Sequence, residues 1–94
     1  MYKFKIIIFG NKFDTSLSTS MEFMFSDCHS LISLDLTFFN TSLVDNMGKM
    51  FYNCNSLIYL NISNFDTSKT TNFNFTFKEC KSLISLDLHS FNTE

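Results

Sequence analysis

Three cysteines are the residues of this chain whose regular spacing suggests chemistry. Cys28, Cys54 and Cys80 follow one another at intervals of 26 residues. If the repeats stack one strand spacing apart, neighbouring cysteines reach a Cα separation that a disulfide accepts. Three thiols in a straight row are a poor tetrahedral metal site. We expect buried, reduced thiols that pack as small hydrophobic side chains, with one disulfide plus a free thiol as the alternative.

Two aspartates suggest a second chemistry, that of the paired carboxylates of a glycosidase. Asp35 and Asp87 occupy the same position two repeats apart. Stacking would place their backbones about 10 Å apart, near the separation of about 6.5–9.5 Å in inverting glycosidases. A flat repeat surface has no closed pocket to shift a carboxyl pKa. We therefore expect no enzyme activity, and a polar ladder in which Asn61 separates the two charges.

The composition argues against several other kinds of site. Gly10 and Gly48 are the two glycines of the 94 residues, too few for a Gly-rich phosphate loop. All seven basic residues are lysines, and the net charge is −2. This charge balance disfavours a nucleic-acid surface, and no apolar run is long enough to span a membrane. We expect no metal, no cofactor, no nucleic-acid partner and no membrane insertion.

The 26-residue spacing of the cysteines extends over most of the chain. From Cys28 to Thr41, 11 of 14 residues are identical to those from Cys80 to Thr93. A fixed period of this length indicates a repeat architecture. We expect one domain, 1–94, that is a fragment of a longer array. Its parts are a degraded partial repeat at 1–27, full repeats at 28–53 and 54–79, and a truncated repeat at 80–94.

Each repeat is predicted to contain a short strand and a short helix. Leu34 and Leu36 alternate with polar residues, which is typical of a strand with one buried face. Apolar residues then recur at the spacing of one helix face, as in Met47, Met50, Phe51 and Cys54. We expect parallel strands near 32–36, 58–62 and 84–88, and helices near 20–27, 46–53 and 72–79.

Polar residues are predicted to cap the turns and helices between these elements. Asp and Asn side chains stand before hydroxyl residues in all four repeats, where they accept backbone N–H bonds; calcium binding is the alternative. Threonine or aspartate stands where each helix needs its N-cap. The turn caps are Asp14, Asn40, Asp66 and Asn92, and the helix caps are Thr19, Asp45 and Thr71.

The repeated residues resemble a known family. The motif reads MFSDCHSLISLDLTFFNTS, then MFYNCNSLIYLNISNFDTS, then FKECKSLISLDLHSFNTE. Over about residues 13–94 it resembles the BspA-type leucine-rich-repeat family of surface proteins. The resemblance implies a right-handed solenoid and a role in surface display and adhesion, and it implies no catalytic residues. The expected fold class is a leucine-rich-repeat-like α/β solenoid, with short parallel strands on one side and short helices on the other.

The outward face of the predicted strands is the candidate binding surface. Where leucines point inward, their neighbours point outward. An exposed isoleucine row at the strand entrance would mark a partner site, whereas cover by a loop or packing between repeats would give it a structural role. The candidate residues are Ile32, Ser33, Asp35, Thr37, Ile58, Tyr59, Asn61, Ser63, Ile84, Ser85, Asp87 and His89.

We expect a non-enzymatic binding module that contacts a protein partner. The resemblance implies adhesion at a cell surface; an intracellular, cytoplasmic scaffold or a degraded array remnant is the alternative, and a glycan-acting enzyme is the third. The unpaired thiols and the lack of a secretory signal after Met1 favour the intracellular alternative. Leu88 and Phe91 belong to columns that need a following repeat. The chain is therefore expected to be marginally stable or to associate end to end.

Overall fold

Two short parallel strands connect successive repeats of the chain. A computed structural model describes residues 7, 9, 13–86, 88 and 91. It contains β1 (Ser33–Asp35) and β2 (Tyr59–Asn61), which pair in parallel. The pairing is offset by one 26-residue repeat and joins Ser33 to Tyr59, Leu34 to Leu60 and Asp35 to Asn61.

Both strands lie inside the windows expected from the sequence but are shorter than those windows. Beyond β1, the amide of Leu36 donates to the carbonyl of Asn61 at 3.0 Å, so pairing continues for one more bond. The third repeat joins through a single parallel bridge between Tyr59 and Ser85. The rest of its expected strand includes Asp87, which lies outside the described residues.

The helices expected over 20–27, 46–53 and 72–79 are not formed, so this part of the prediction is wrong. All three windows are described, and each contains a run of turns. Isolated parallel bridges link these turn segments from repeat to repeat, Ser20 with Asn46 and Asn46 with Asn72. The side opposite the strands is therefore built from turns that are paired between repeats.

The backbone of these turns divides its amide donors between two uses. Met24 and Ser26 donate to carbonyls three residues earlier, at 3.2 and 3.0 Å. Phe25 and Asp27 donate instead to carbonyls of the following repeat, both at 2.8 Å. An α-helix would use such donors within its own segment. Hydrogen bonds between repeats therefore replace the expected helix.

Left-handed residues punctuate the turn segments at four-residue intervals. Their φ angles lie between 54° and 67°, a conformation that no α-helix contains. The four-residue spacing still returns Met21 and Phe25 to the inner side, as a helix would, which explains why the apolar pattern suggested one. The left-handed residues are Phe23, Asp27, Lys49, Asn53, Phe75 and Glu79.

Inward-pointing side chains form columns that run through the repeats. The rings of Phe25, Phe51 and Phe77 stack at centroid distances of 5.8 and 5.6 Å, tilted by 3° and 7°. Phe65 stacks on Phe91 in a second column at 6.1 Å. The middle repeat has neighbours on both sides and is fully buried at these positions, with Phe51 at 0% exposure. Burial is therefore greatest at the centre of the array.

Polar groups link the corners of adjacent repeats. The buried Thr15 hydroxyl donates to the carbonyl of Asn40 at 3.1 Å and accepts from the amide of Asn40 at 2.8 Å. Thr41 repeats both bonds with Asp66, at 3.0 and 2.8 Å. This threonine column satisfies one amide and one carbonyl at each corner, a role that the sequence argument did not assign.

The predicted turn caps are confirmed at three positions. Asp14, Asn40 and Asp66 each accept the amide two residues later, at 2.9–3.0 Å. Asn92 lies outside the described residues. These carboxylate and amide oxygens are occupied by backbone donors, which gives each side chain a structural role in its turn.

The caps expected for the helices lie one residue later than predicted and serve turns instead. Asn46 accepts the amide of Gly48 at 2.9 Å, and Asn72 accepts that of Asn74 at 2.8 Å. A Cβ on Gly48 would lie 3.0 Å from the Asn72 side chain and 3.1 Å from that of Asn46. The close approach of these two amides therefore explains the glycine in the middle repeat.

Candidate functional site

The outward residues of the strands and their flanks form one surface, which we call the sheet face. The leucines between them point inward as predicted, with Leu34 at 1% and Leu60 at 3% exposure. Asp87 and His89, two members of the predicted set, lie outside the described residues. The described members are Ile32, Ser33, Asp35, Thr37, Ile58, Tyr59, Asn61, Ser63, Ile84 and Ser85.

An isoleucine row crosses the sheet face at the start of each strand. Ile32, Ile58 and Ile84 are 38%, 42% and 82% exposed, so the row faces solvent and is not covered by a loop. Backbone bonds hold it in place, because the amide of Ile58 donates to the carbonyl of Ile32 at 2.8 Å. The amide of Ile84 likewise donates to Ile58, at 3.2 Å. The row is thus an apolar strip of fixed spacing.

The polar side chains of the sheet face bond mainly to one another. Asp35 accepts from the amide and hydroxyl of Thr37 at 3.0 and 2.7 Å. Asn61 accepts the amide of Ser63 at 3.1 Å and donates to the Tyr59 hydroxyl at 3.1 Å. The phenol is 44% exposed at the level of the ring and keeps its own O–H for an outside acceptor. These bonds orient the polar groups before any partner arrives.

The structure shows one member of the predicted carboxylate pair. Asp35 is exposed, and the two bonds from Thr37 hold the pKa of its carboxyl below the usual 3.8. A carboxyl in this state is ionised at neutral pH and is no proton donor. In β2, Asn61 stands opposite Asp35, as expected for a polar ladder.

The three cysteines are free thiols in the structure. Cys28 and Cys54 are buried, as predicted, at 5% and 0% exposure, whereas Cys80 is half-buried. Each of the last two donates its S–H to a carbonyl of the preceding repeat at 3.1 Å, Cys54 to Phe25 and Cys80 to Phe51. Burial raises the pKa of the Cys80 thiol, and the pKa of Cys54 is raised by its contact with Cys28 and by burial. These thiols serve as packing and donor groups.

A lysine among aromatic rings is a feature that the sequence argument missed. The Nζ atom of Lys49 lies 5.5 Å from the ring centroid of Phe23, 5.4 Å from Tyr52 and 5.8 Å from Phe75. Phe23 and Phe75 are 52% and 56% exposed. The 26-residue register does place Phe23, Lys49 and Phe75 in one column, so the signal was present. The cation–π contacts account for two exposed rings at the turns.

Comparison with known protein families gives a match over nearly the whole chain. Residues 2–91 match the family described as "Mycoplasma protein of unknown function, DUF285". The chain belongs to this family. No curated protein and no solved structure matches the chain.

Two further properties of this DUF285 family member concern metals and membranes. Within the described residues, no three His, Cys, Asp or Glu side chains converge on a point that could hold a metal ion. The same part of the chain contains no helix with the length and apolar character needed to cross a bilayer.

Proposed function

We propose that this DUF285 family member is a non-enzymatic binding module that contacts a protein partner through the sheet face. The isoleucine row supports this proposal most directly, since an exposed apolar strip beside oriented polar groups has the anatomy of a recognition surface. Tyr59 adds an aromatic ring of the kind enriched at binding hot spots. The rigid backbone bonds beneath the row reduce the ordering cost of binding.

The proposed architecture is a leucine-rich-repeat-like solenoid in which turns replace the helices. Parallel pairing at a constant 26-residue offset supports it on both sides of the repeat. In such an array each repeat contacts its neighbours, and a regular surface results. The proposed role is adhesion at a cell surface, as the resemblance to BspA-type surface proteins implies.

The test is binding of the purified, fluorescently labelled chain to intact cultured animal cells. Ile58→Glu places a charge in the middle of the isoleucine row, and we expect cell binding to fall at least about tenfold. Leu17→Glu is the matched control, because Leu17 is 84% exposed and lies outside the sheet face. This control is expected to bind as the unmodified chain does.

Protease treatment of the cells identifies the class of partner. Binding through a protein is expected to disappear after the cell surface has been digested. Equal binding by Ile58→Glu and the unmodified chain would contradict the sheet face as the site. Failure of the unmodified chain to bind any cell tested would contradict adhesion.

An intracellular scaffold is the second candidate function, and the free thiols favour it. Proteins with unpaired buried cysteines are common in reducing compartments. Fractionation of the source cells separates the two candidates. Chain that resists surface proteolysis in intact cells and is recovered with the internal proteins would support the scaffold and overturn surface display.

A further inference from the structure

The turn segments are joined by hydrogen bonds that all run in one direction along the array. Amides in the first repeat donate to carbonyls in the second, as Phe25 does to Met50 at 2.8 Å. Amides in the second donate to the third at 2.8–3.0 Å. These are Met47 to Asn72, Lys49 to Asn74, Phe51 to Thr76 and Asn53 to Lys78. Each turn segment therefore presents donors on one side and acceptors on the other.

The outer edges of this ladder carry complementary unpaired groups. In the third repeat, four alternate amides find no acceptor among the described residues: Phe73, Phe75, Phe77 and Glu79. In the first repeat, four alternate carbonyls find no donor among the described residues: Ser20, Glu22, Met24 and Ser26. Both sets are register equivalents of groups that are paired inside the array. We call them the donor edge and the acceptor edge.

Apolar surface accompanies the donor edge. A cavity of about 360 Å³ opens there, lined by Phe73, Thr76, Phe77, Lys78, Leu88 and Phe91. Leu88 is 42% exposed, whereas its equivalent one repeat earlier, Ile62, is 1% exposed. The difference measures the cover that a following repeat would provide.

Apolar surface accompanies the acceptor edge as well. Met24 is 40% exposed, whereas Met50, its equivalent in the next repeat, is 0% exposed. Phe13 is 42% exposed, whereas Phe39 is 2% exposed. The side chains at this edge are therefore the first members of the same columns that the donor edge leaves open.

We propose that two copies of this chain associate head to tail, with the donor edge of one copy against the acceptor edge of the next. The ladder inside the chain provides the geometry, because both edges have its spacing and direction. Two donor edges, or two acceptor edges, would leave every facing group unpaired, which disfavours a two-fold dimer. The contact leaves one free edge of each kind, so assembly continues to longer oligomers. This proposal is independent of the proposed function of the sheet face.

Sedimentation velocity on the whole chain over about a hundredfold range of concentration tests the association. Average mass is expected to rise with concentration and to exceed that of a dimer. Leu88→Lys adds a second ammonium beside Lys78 in the cavity and should weaken association at least about tenfold. Ile84→Lys is the matched control: it adds the same charge on the sheet face, at a residue that is 82% exposed, and should assemble normally.

Mixing two edge variants tests the head-to-tail arrangement. Met24→Lys blocks the acceptor edge, and Leu88→Lys blocks the donor edge, so each variant alone should remain monomeric. Together they retain one intact edge of each kind and should form dimers that grow no further. Phe13→Lys, a second acceptor-edge variant, replaces Met24→Lys if thermal unfolding shows that the latter does not fold.

Three results would overturn the proposal. The unmodified chain could remain monomeric at every concentration. Both edge variants could assemble as the unmodified chain does. Finally, one folded edge variant could dimerise by itself while the other does not, which would indicate a two-fold interface in place of the head-to-tail contact.

Discussion

At the scale of single residues, the thiols differ in burial although they share one column of the repeat. Cys28 and Cys54 have repeats on both sides or a covering segment, and both are almost inaccessible. Cys80 belongs to the third repeat and is half-buried. Because the thiolate is the reactive species, a raised pKa slows Cys80 while its exposure admits reagent.

We expect thiol titration of the native chain to modify Cys80 first, more slowly than a small free thiol. Cys28 and Cys54 should react only as the chain unfolds. In denaturant without reductant, three thiols should be counted. Three fast-reacting thiols in the native state, or a single thiol in denaturant, would show that the cysteines are not arranged as described.

The turn-capping carboxylates make stability depend on acid. Hydrogen bonds from Ser16, Thr37 and Ser68 hold the pKa values of Asp14, Asp35 and Asp66 below the usual 3.8. A folded pKa below the unfolded value stabilises the fold above pH 3.8 and ceases to do so as pH falls through the folded pKa. All three groups are exposed, so the contribution of each is small.

Thr37→Val isolates the hydroxyl part of this effect. The substitution removes the 2.7 Å bond to Asp35 and keeps the amide bond at 3.0 Å. The pKa of Asp35, followed by NMR through an acid titration, is expected to rise toward 3.8. The pKa of Asp66 in the same variant serves as the internal reference and should not move. An unchanged Asp35 titration would assign the whole shift to the backbone amide.

At the scale of elements, left-handed residues distinguish the turn segments from helices. Glu79 has a φ of 67° and pairs with Lys81 at 3.2 Å across an exposed contact. Glu79→Gly and Glu79→Ala both remove the ion pair, and only glycine relieves the Cβ strain at positive φ. We expect Glu79→Gly to be more stable than Glu79→Ala by about 1–2 kcal/mol in urea unfolding.

Lys78 provides the reference position for this comparison, because it is a turn residue without positive φ. At that position, Lys78→Gly should be less stable than Lys78→Ala by about 0.5–1 kcal/mol. If alanine is favoured at both positions, the segment over 72–79 is helical in solution and the turn assignment fails.

Hydrogen exchange reports the alternation of amide donors within the turn segments. Amides that bond to the next repeat should exchange slowly, whereas the donor edge of a monomer should exchange quickly. The slow set is Lys49, Phe51 and Asn53, and the fast set is Phe75, Phe77 and Glu79. The comparison is made at low concentration by NMR. Equal protection of all six amides would contradict the ladder.

At the scale of the whole molecule, stability is concentrated in the middle repeat. Phe51 is stacked between Phe25 and Phe77 and is fully buried, whereas Phe77 is partly buried. Phe51→Ala should lower the free energy of unfolding by about 3–5 kcal/mol, and Phe77→Ala by less. Urea unfolding of both variants at one low concentration makes the comparison. A larger loss for Phe77→Ala would place the core at the end of the array.

The sequence by itself determined the repeat and its inner columns. The 26-residue period predicted which residues align, the alternation around Leu34 predicted the inward side of the strands, and Asp14, Asn40 and Asp66 were recognised as turn caps. These features follow from residue type and local spacing. They hold whatever backbone conformation connects the columns.

Only the tertiary structure decided how the remaining backbone is folded and what the surface presents. Met21 and Phe25 have the same inward spacing in a helix and in paired turns, so their pattern does not separate the two. The choice depends on the acceptors of alternate amides, such as Phe25 to Met50, which lie a repeat away in the sequence. The exposure of Ile58 and the rings around Lys49 depend in the same way on neighbouring repeats. A local pattern cannot specify them, because their physical cause is the contact between segments 26 residues apart.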